Sequence, residues 1–146
     1  MRLLYILIIA LITNDAISQD LKKYQWENRL VLILSQKEDS KAYEQQIAHL
    51  ISLPKELKER KIIVYQVLPD RYKLMNYQKK GKENKWISSS LLYDQYGNKE
   101  GGFKLVLIGL DGGVKLKSSN LLKVSELFDT IDSMPMRRAE LENKRD

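Results

Sequence analysis

The sequence predicts a single α/β domain in which helices cover a central mixed sheet. Short apolar runs of strand length alternate with segments whose apolar residues recur at helical spacing. Their order is strand, helix, strand, a variable connection, then strand, strand, helix. The first strand pair requires a parallel crossover because a helix joins its members, whereas the second pair is joined by a short turn and must be antiparallel.

The first predicted strand covers residues 29–35, a continuous apolar run of the kind that is covered on both faces of a sheet. Asp39 or Ser40 is placed to cap the helix that follows. One face of this helix repeats apolar residues at helical spacing: Tyr43, Ile47, Leu50 and Ile51. Pro54 breaks or kinks the helix and a second short piece continues it.

The next predicted strand covers residues 61–68 and is nearly all apolar. Residues 71–86 are basic and aromatic with weak periodicity, and they predict an irregular or partly helical connection. A loop with about one helical turn is predicted from there to Gly102.

A hairpin and a helix complete the predicted domain. Strands at residues 103–109 and 114–117 flank the turn Asp111-Gly112-Gly113, where Asp-Gly supplies the positive φ angles of a tight hairpin. The last helix has an apolar stripe and ends or kinks at Pro135. Its stripe consists of Val124, Leu127, Phe128, Ile131 and Met134. Residues 139–146 are predicted to form a charged tail, with a helical conformation near Ala139 as an alternative.

This order of strands and helices is the thioredoxin arrangement. The stretches "YQWENRLVLIL", "LVLIGLDGGVKL" and "ELFDTIDSMPMRR" also resemble an uncharacterised exported domain, described as thioredoxin-like or peroxiredoxin-like. That domain of unknown function is shared by bacterial secreted proteins and by vertebrate extracellular proteins with sushi repeats. The resemblance covers residues 24–138 and implies a fold and a compartment. It implies no reaction, since the family has no established biochemical activity.

The N-terminus has the pattern of a secretory signal. Arg2 precedes a run of apolar residues at 3–12, and Ala16 and Ser18 form an A-x-S cleavage site. The run would span only about half of a bilayer, which needs roughly 20 residues. We therefore predict that residues 1–18 are removed, that the domain occupies residues 19–138, and that the protein is periplasmic or secreted. The alternatives are a buried first strand and an uncleaved anchor. No later segment is apolar enough to span a bilayer.

The absence of cysteine excludes several chemistries. Thioredoxin-type catalysis needs a thiolate at a helix N-terminus, and the matching residues 36–39 contain no sulfur. The proline of such sites is also missing near Gly102 and Phe103. His49 is the only histidine, lies off the apolar stripe and is predicted to face solvent. We therefore assign no catalytic residue, metal site or cofactor.

The basic connection is the main candidate for binding. Glu83 is the only acidic residue in this segment, and Tyr72, Tyr77 and Trp86 are interleaved with its cations. They are Arg71, Lys73, Lys79, Lys80, Lys82 and Lys85. Such a segment binds polyanions; the alternative is a solvated loop. Because the protein is predicted to be exported, nucleic acid is disfavoured as its partner. Anionic glycans, membrane headgroups or acidic proteins fit the predicted compartment better.

Arg137 and Arg138 follow the break at Pro135 and form a second candidate. They either pair with carboxylates of the domain, which would tie down the tail, or bind an anion.

The leading functional hypothesis is a non-catalytic exported module, with a net charge of +6, that binds a protein or an anionic partner. One alternative is an enzyme that uses carboxylate, hydroxyl or backbone groups in the thioredoxin-type cleft. Another is a structural domain that assembles with copies of itself. The sequence leaves the partner and the oligomeric state open.

Overall fold

The computed structural model describes residues 21–78 and 85–145, and a six-stranded sheet lies at its centre. The strands are β1 (Arg29–Leu34), β2 (Ile62–Leu68), β3 (Arg71–Asn76), β4 (Ile87–Ser88), β5 (Lys104–Ile108) and β6 (Val114–Ser118). Their spatial order is β4-β3-β2-β1-β5-β6. β1 and β2 are parallel, and the other neighbouring pairs are antiparallel. The predicted mixed sheet is therefore confirmed.

Helices pack on both faces of the sheet. They are α1 (Lys41–Ile51), α2 (Pro54–Glu59), α3 (Leu91–Tyr96), α4 (Val124–Asp132) and α5 (Pro135–Asn143). Because strand side chains alternate, Val31 and Ile33 point to one face of β1 and Leu30 and Leu32 to the other. The first face packs against α1, α2 and α4, and the second against α3 and Tyr24. β1 and β2 are buried along their whole length, as their continuous apolar runs predict.

The buried face of α1 differs from the predicted stripe. Ile51 is 40% exposed, whereas Gln46 is buried. The Gln46 side chain donates to the Leu122 carbonyl at 3.1 Å and accepts from the Leu122 N–H at 2.8 Å, so both ends of its amide are satisfied. Ser40 is the N-cap residue as expected, but its hydroxyl makes no capping bond. Met134 and Ile47 are only partly buried.

The prediction of an irregular connection after β2 is wrong for its first half. Arg71–Asn76 is strand β3, paired antiparallel with β2 from Arg71 opposite Leu68 to Asn76 opposite Ile63. In β3 only Leu74 is buried, so charged residues on a partly exposed strand conceal the alternating pattern. Within the following loop, Leu91–Tyr96 forms the short helix α3 and buries Leu92.

The C-terminal residues form a helix that packs against the domain, whereas a charged tail was predicted. α4 ends at Asp132 and Pro135 occupies the first turn of α5, so the break at the proline is confirmed. Residues 139–143 continue α5 rather than forming a separate tail, and Glu140 contacts the start of β1.

Candidate functional site

The junction between β1 and α1 is the place at which thioredoxin-type enzymes carry their thiol. Residues 35–40 make this connection. The buried Ser35 hydroxyl donates to the Lys37 carbonyl at 2.7 Å and accepts from the Lys37 N–H at 3.2 Å. Gln36 lies against Gly101, where an added Cβ would be 2.5 Å from the Gln36 side-chain oxygen. The junction therefore keeps its position in the fold while holding amide, hydroxyl and charged groups in place of sulfur.

Arg71 reaches this junction from the neighbouring strands. The parallel strands β1 and β2 end at the same edge of the sheet, and Arg71 opens β3 directly after β2. The Arg71 Nη2 donates to the Glu38 Oε2 at 2.6 Å. The two side chains are 38% and 57% exposed, so this ion pair contributes little to stability.

Trp86 lies beside two cations of β3. The Arg71 guanidinium carbon is 4.8 Å from the centre of the Trp86 ring, and the Lys73 Nζ is 4.7 Å from it. Arg71 and Lys73 share a face because they are two residues apart on a strand. We call Arg71, Lys73, Lys85 and Trp86 the basic–aromatic surface. Lys73 and Lys85 have no carboxylate partner among the described residues.

Three of the predicted binding residues, Lys79, Lys80 and Lys82, lie outside the described residues. The structure therefore brings together the two ends of the predicted segment, through Arg71 and Lys73 on β3 and through Lys85 and Trp86 before β4.

Tyr43 adds a hydroxyl that the sequence analysis did not use. The side chain is 2% exposed and its hydroxyl has no hydrogen-bond partner within the described chain. Burial, followed by the negative charge of Glu38, raises the pKa of Tyr43 well above its ordinary value, while Arg71 opposes the shift. The hydroxyl therefore stays protonated at neutral pH. The available signal was the residue type, since a buried tyrosine needs a partner for its hydroxyl and phenylalanine does not.

Arg137 does not lie on a surface that an external anion can reach. It is 1% exposed and donates to Asp132 at 3.1 Å, to Glu59 at 3.1 Å and to Glu140 at 3.2 Å. Burial favours a lower pKa, but these hydrogen bonds outweigh it and raise the pKa of Arg137. Its assignment as a binding residue is therefore corrected: its charge is neutralised inside the domain. Arg138, by contrast, is exposed.

Two further arginines extend this ion network, and the sequence analysis missed both. Arg29 is 1% exposed and its Nη1 lies 3.3 Å from the Glu140 carboxylate. Arg60 donates to Asp132 at 2.8 Å and to Glu56 at 2.7 Å. The network lies where β1 begins, whereas Arg71 lies where β2 ends, so the two clusters occupy opposite edges of the sheet. The ion pairs of this network connect α5 to α2, to α4 and to the start of β1.

The other polar features in residues 21–78 and 85–145 include one histidine and a cleft. His49 is exposed on α1, as predicted. No group of three potential metal ligands comes together in this part of the chain. A cleft of about 500 Å³ has no thiol or imidazole in its lining of Lys23, Tyr24, Glu27, Asn28, Lys61, Asn76 and Gln78.

None of the helices in the described ranges is both long enough and apolar enough to cross a membrane.

Comparisons with known proteins agree with this architecture. The reduced 2-Cys peroxiredoxin of Plasmodium vivax is similar with a TM-score of 0.59 at 15% identity, over 82% of this chain and 72% of that one. The mitochondrial 2-Cys peroxiredoxin of Plasmodium falciparum has a TM-score of 0.54 at 16% identity, over 77% and 79%. At these identities the likeness concerns the fold alone. A comparison with curated proteins finds no match.

The family comparison covers nearly the whole described domain. Residues 20–140 match the family described as a domain of unknown function, DUF4174. This match and the resemblance predicted from the sequence concern the same part of the chain. The chain therefore belongs to the DUF4174 family, and it has a thioredoxin-like fold similar to that of peroxiredoxins.

Proposed function

We propose that this chain is an exported, non-catalytic domain that binds an anionic partner through the basic–aromatic surface. The observation that carries the proposal is the pair of cations, Arg71 and Lys73, held within 5 Å of the Trp86 ring centre. Lys73 has no carboxylate among the described residues to neutralise it, so its charge is available to a partner.

Two cations of the basic–aromatic surface already lie against the Trp86 ring in the free chain. β3 places Arg71 and Lys73 on one face, and contact with the Trp86 ring restrains both side chains. Less side-chain entropy is then lost on binding than for freely rotating lysines. Lys79, Lys80 and Lys82 belong to the same segment of the sequence and add to its positive charge.

The environments of the Ser35 and Tyr43 hydroxyl groups support a binding function rather than a hydrolytic one. Ser35 is hydrogen bonded to the backbone of Lys37, and no base lies beside it among its described partners. Tyr43 is a poor nucleophile because its pKa is raised and the phenolate is not populated at neutral pH. With no cysteine in the chain, thiol chemistry is excluded.

Salt-dependent retention on heparin tests the binding proposal. We expect the wild-type protein to be retained and K73E/K85E to elute at clearly lower salt, because ion release contributes to polyanion binding. The variant K22E/K117E makes the same charge change on exposed lysines near the β5–β6 hairpin, where Lys22 and Gly112 line a common cleft, and should elute close to wild type after allowance for net charge. The variant K79E/K80E/K82E tests the undescribed part of the segment. Equal elution of both double variants would refute the proposal.

Export has its own test. Removal of residues 1–18, proposed from the apolar run and the Ala16–Ser18 site, predicts a mature protein beginning at Gln19. Intact-mass measurement of the extracytoplasmic fraction checks this, and a full-length mass in that fraction would contradict it.

A further inference from the structure

Two buried hydrogen-bond donors at the end of the basic–aromatic surface have no acceptor. They are the Tyr43 hydroxyl and the Arg71 Nε, and neither has a partner among the described residues. Tyr43 lies on the first turn of α1 and Arg71 at the start of β3, on the side of the sheet that α1 covers. Glu38 lies five residues before Tyr43 and accepts from the Arg71 Nη2 at 2.6 Å, so this ion pair brings Arg71 to the connection that leads into the first turn of α1. A buried donor without an acceptor is unfavourable, so this pair marks a position prepared for an incoming group.

Glu38 satisfies only half of the guanidinium edge that it contacts. The Nε and Nη2 of an arginine form one planar edge, and a carboxylate matches it with both of its oxygens. Here Glu38 Oε2 accepts from Nη2 at 2.6 Å, while Nε on the same edge has no acceptor. The Glu38 side chain is 57% exposed, so turning it toward solvent breaks an ion pair that lies largely at the surface.

We propose that Arg71 and Tyr43 form a binding site for one carboxylate group of the partner, and that Glu38 occupies half of this site in the free protein. This inference rests on the proposed function and names the chemical group that the basic–aromatic surface accepts beside the β1–α1 junction. A partner carboxylate spans Nε and Nη2 of Arg71 and accepts a third hydrogen bond from Tyr43. The Trp86 ring holds the guanidinium plane in position.

The Arg71 Nε–H resonance reports directly on this site. We would follow it by NMR while titrating sodium acetate into wild type, E38Q and D39N. The exposed Asp39 is the matched control, because D39N makes the same change in charge one residue away without contact to Arg71. E38Q should bind acetate about two- to fivefold more tightly than D39N, the range expected from loss of an exposed ion pair. Equal titration of E38Q and D39N would overturn the inference.

The double variant E38Q/Y43F tests the third hydrogen bond. The Tyr43 hydroxyl has no partner in the free protein, so its removal should leave the melting temperature unchanged or slightly higher while acetate binds more weakly. Unchanged acetate binding in this variant would contradict the role of Tyr43. Sulfate that shifts the resonance as effectively as acetate would overturn the assignment to carboxylates.

The source of the carboxylate is distinguished with hexaglutamate and trigalacturonate, which carry the group on a peptide and on a sugar. Tighter binding of either by E38Q than by D39N supports the site and identifies its source, whereas no difference for both would overturn it. Acetate does not require the wider basic–aromatic surface. If K73E/K85E loses heparin retention while E38Q and D39N bind acetate equally, this inference alone is rejected. If E38Q binds acetate more tightly than D39N while K73E/K85E is retained on heparin like wild type, the polyanion proposal alone is rejected.

Discussion

Arg137 and Asp132 meet across the break between α4 and α5, where the Arg137 Nε donates to the Asp132 Oδ1 at 3.1 Å. Arg60 donates to both oxygens of the same carboxylate, at 3.1 and 2.8 Å. One carboxylate at the C-terminus of α4 is thus shared by two guanidinium groups from different parts of the chain. This contact holds the orientation of α5 together with Pro135, which begins that helix.

Replacement of Arg137 by alanine should destabilise the domain by about 3 kcal/mol, because it leaves partly buried carboxylates without their partner. R138A is the matched control, since Arg138 is exposed and should change stability by less than about 0.5 kcal/mol. Urea unfolding of both variants measures the difference. Equal midpoints would show that the buried ion network does not hold α5 in place.

The stability of the domain should fall at acidic pH through Asp132. Burial favours a higher pKa, but hydrogen bonds from Arg60 and Arg137 outweigh it and hold the pKa of Asp132 below its usual value of 3.8. The unfolded chain therefore binds this proton first. The contribution of Asp132 is complete above about pH 3.8 and is lost as the pH falls through the lower folded-state pKa. In D132N this part of the acid dependence should be absent from urea midpoints measured between about pH 2 and 6.

Any side chain at position 112 should lower the free energy of unfolding. Its φ is +83°, whereas Asp111 has no positive φ, so the prediction of left-handed backbone in the Asp-Gly turn is confirmed for the glycine and wrong for the aspartate. Gly112→Ala should lower the free energy of unfolding by about 1–2 kcal/mol, and Gly112→Val by at least as much. Gly113→Ala is the adjacent control, since its φ is not in the left-handed region and the atoms nearest its new Cβ belong to the flexible side chains of Asp111 and Lys115. If both alanine variants unfold at the same denaturant concentration, the positive φ of Gly112 is not required.

Gln46 should be more important to the fold than its neighbour Gln45. Gln46→Leu removes both hydrogen bonds to the Leu122 backbone and should cost about 1–3 kcal/mol. Gln45→Leu makes the same replacement on the exposed side of α1 and should change stability by less than about 0.5 kcal/mol. Thermal unfolding of the pair checks this, and similar melting temperatures would mean that the connection from β6 to α4, which contains Leu122, does not depend on Gln46.

Part of the candidate site could be predicted from the sequence, because the residue types lie close together along the chain. Arg71, Lys73 and Trp86 were selected as cations and an aromatic of one segment, and the structure places them in contact. The acceptor that partly occupies the site could not be found in this way. Glu38 belongs to another connection, 33 residues earlier, and only the parallel pairing of β1 with β2 brings it to Arg71.

The sequence by itself determined the elements whose pattern is local. Continuous apolar runs specify β1 and β2, the Asp-Gly turn specifies the β5–β6 hairpin, and helical spacing specifies the buried side of α4.

Only the tertiary structure decided which polar residues inside those patterns are buried. Gln46 replaces Ile51 on the buried face of α1, because an amide with both ends hydrogen bonded is accommodated in a core and an apolar residue is not forced to be buried. Arg137 is internal because carboxylates from α2, α4 and α5 converge on it, and the burial of a charge depends on such distant partners rather than on its neighbours in sequence.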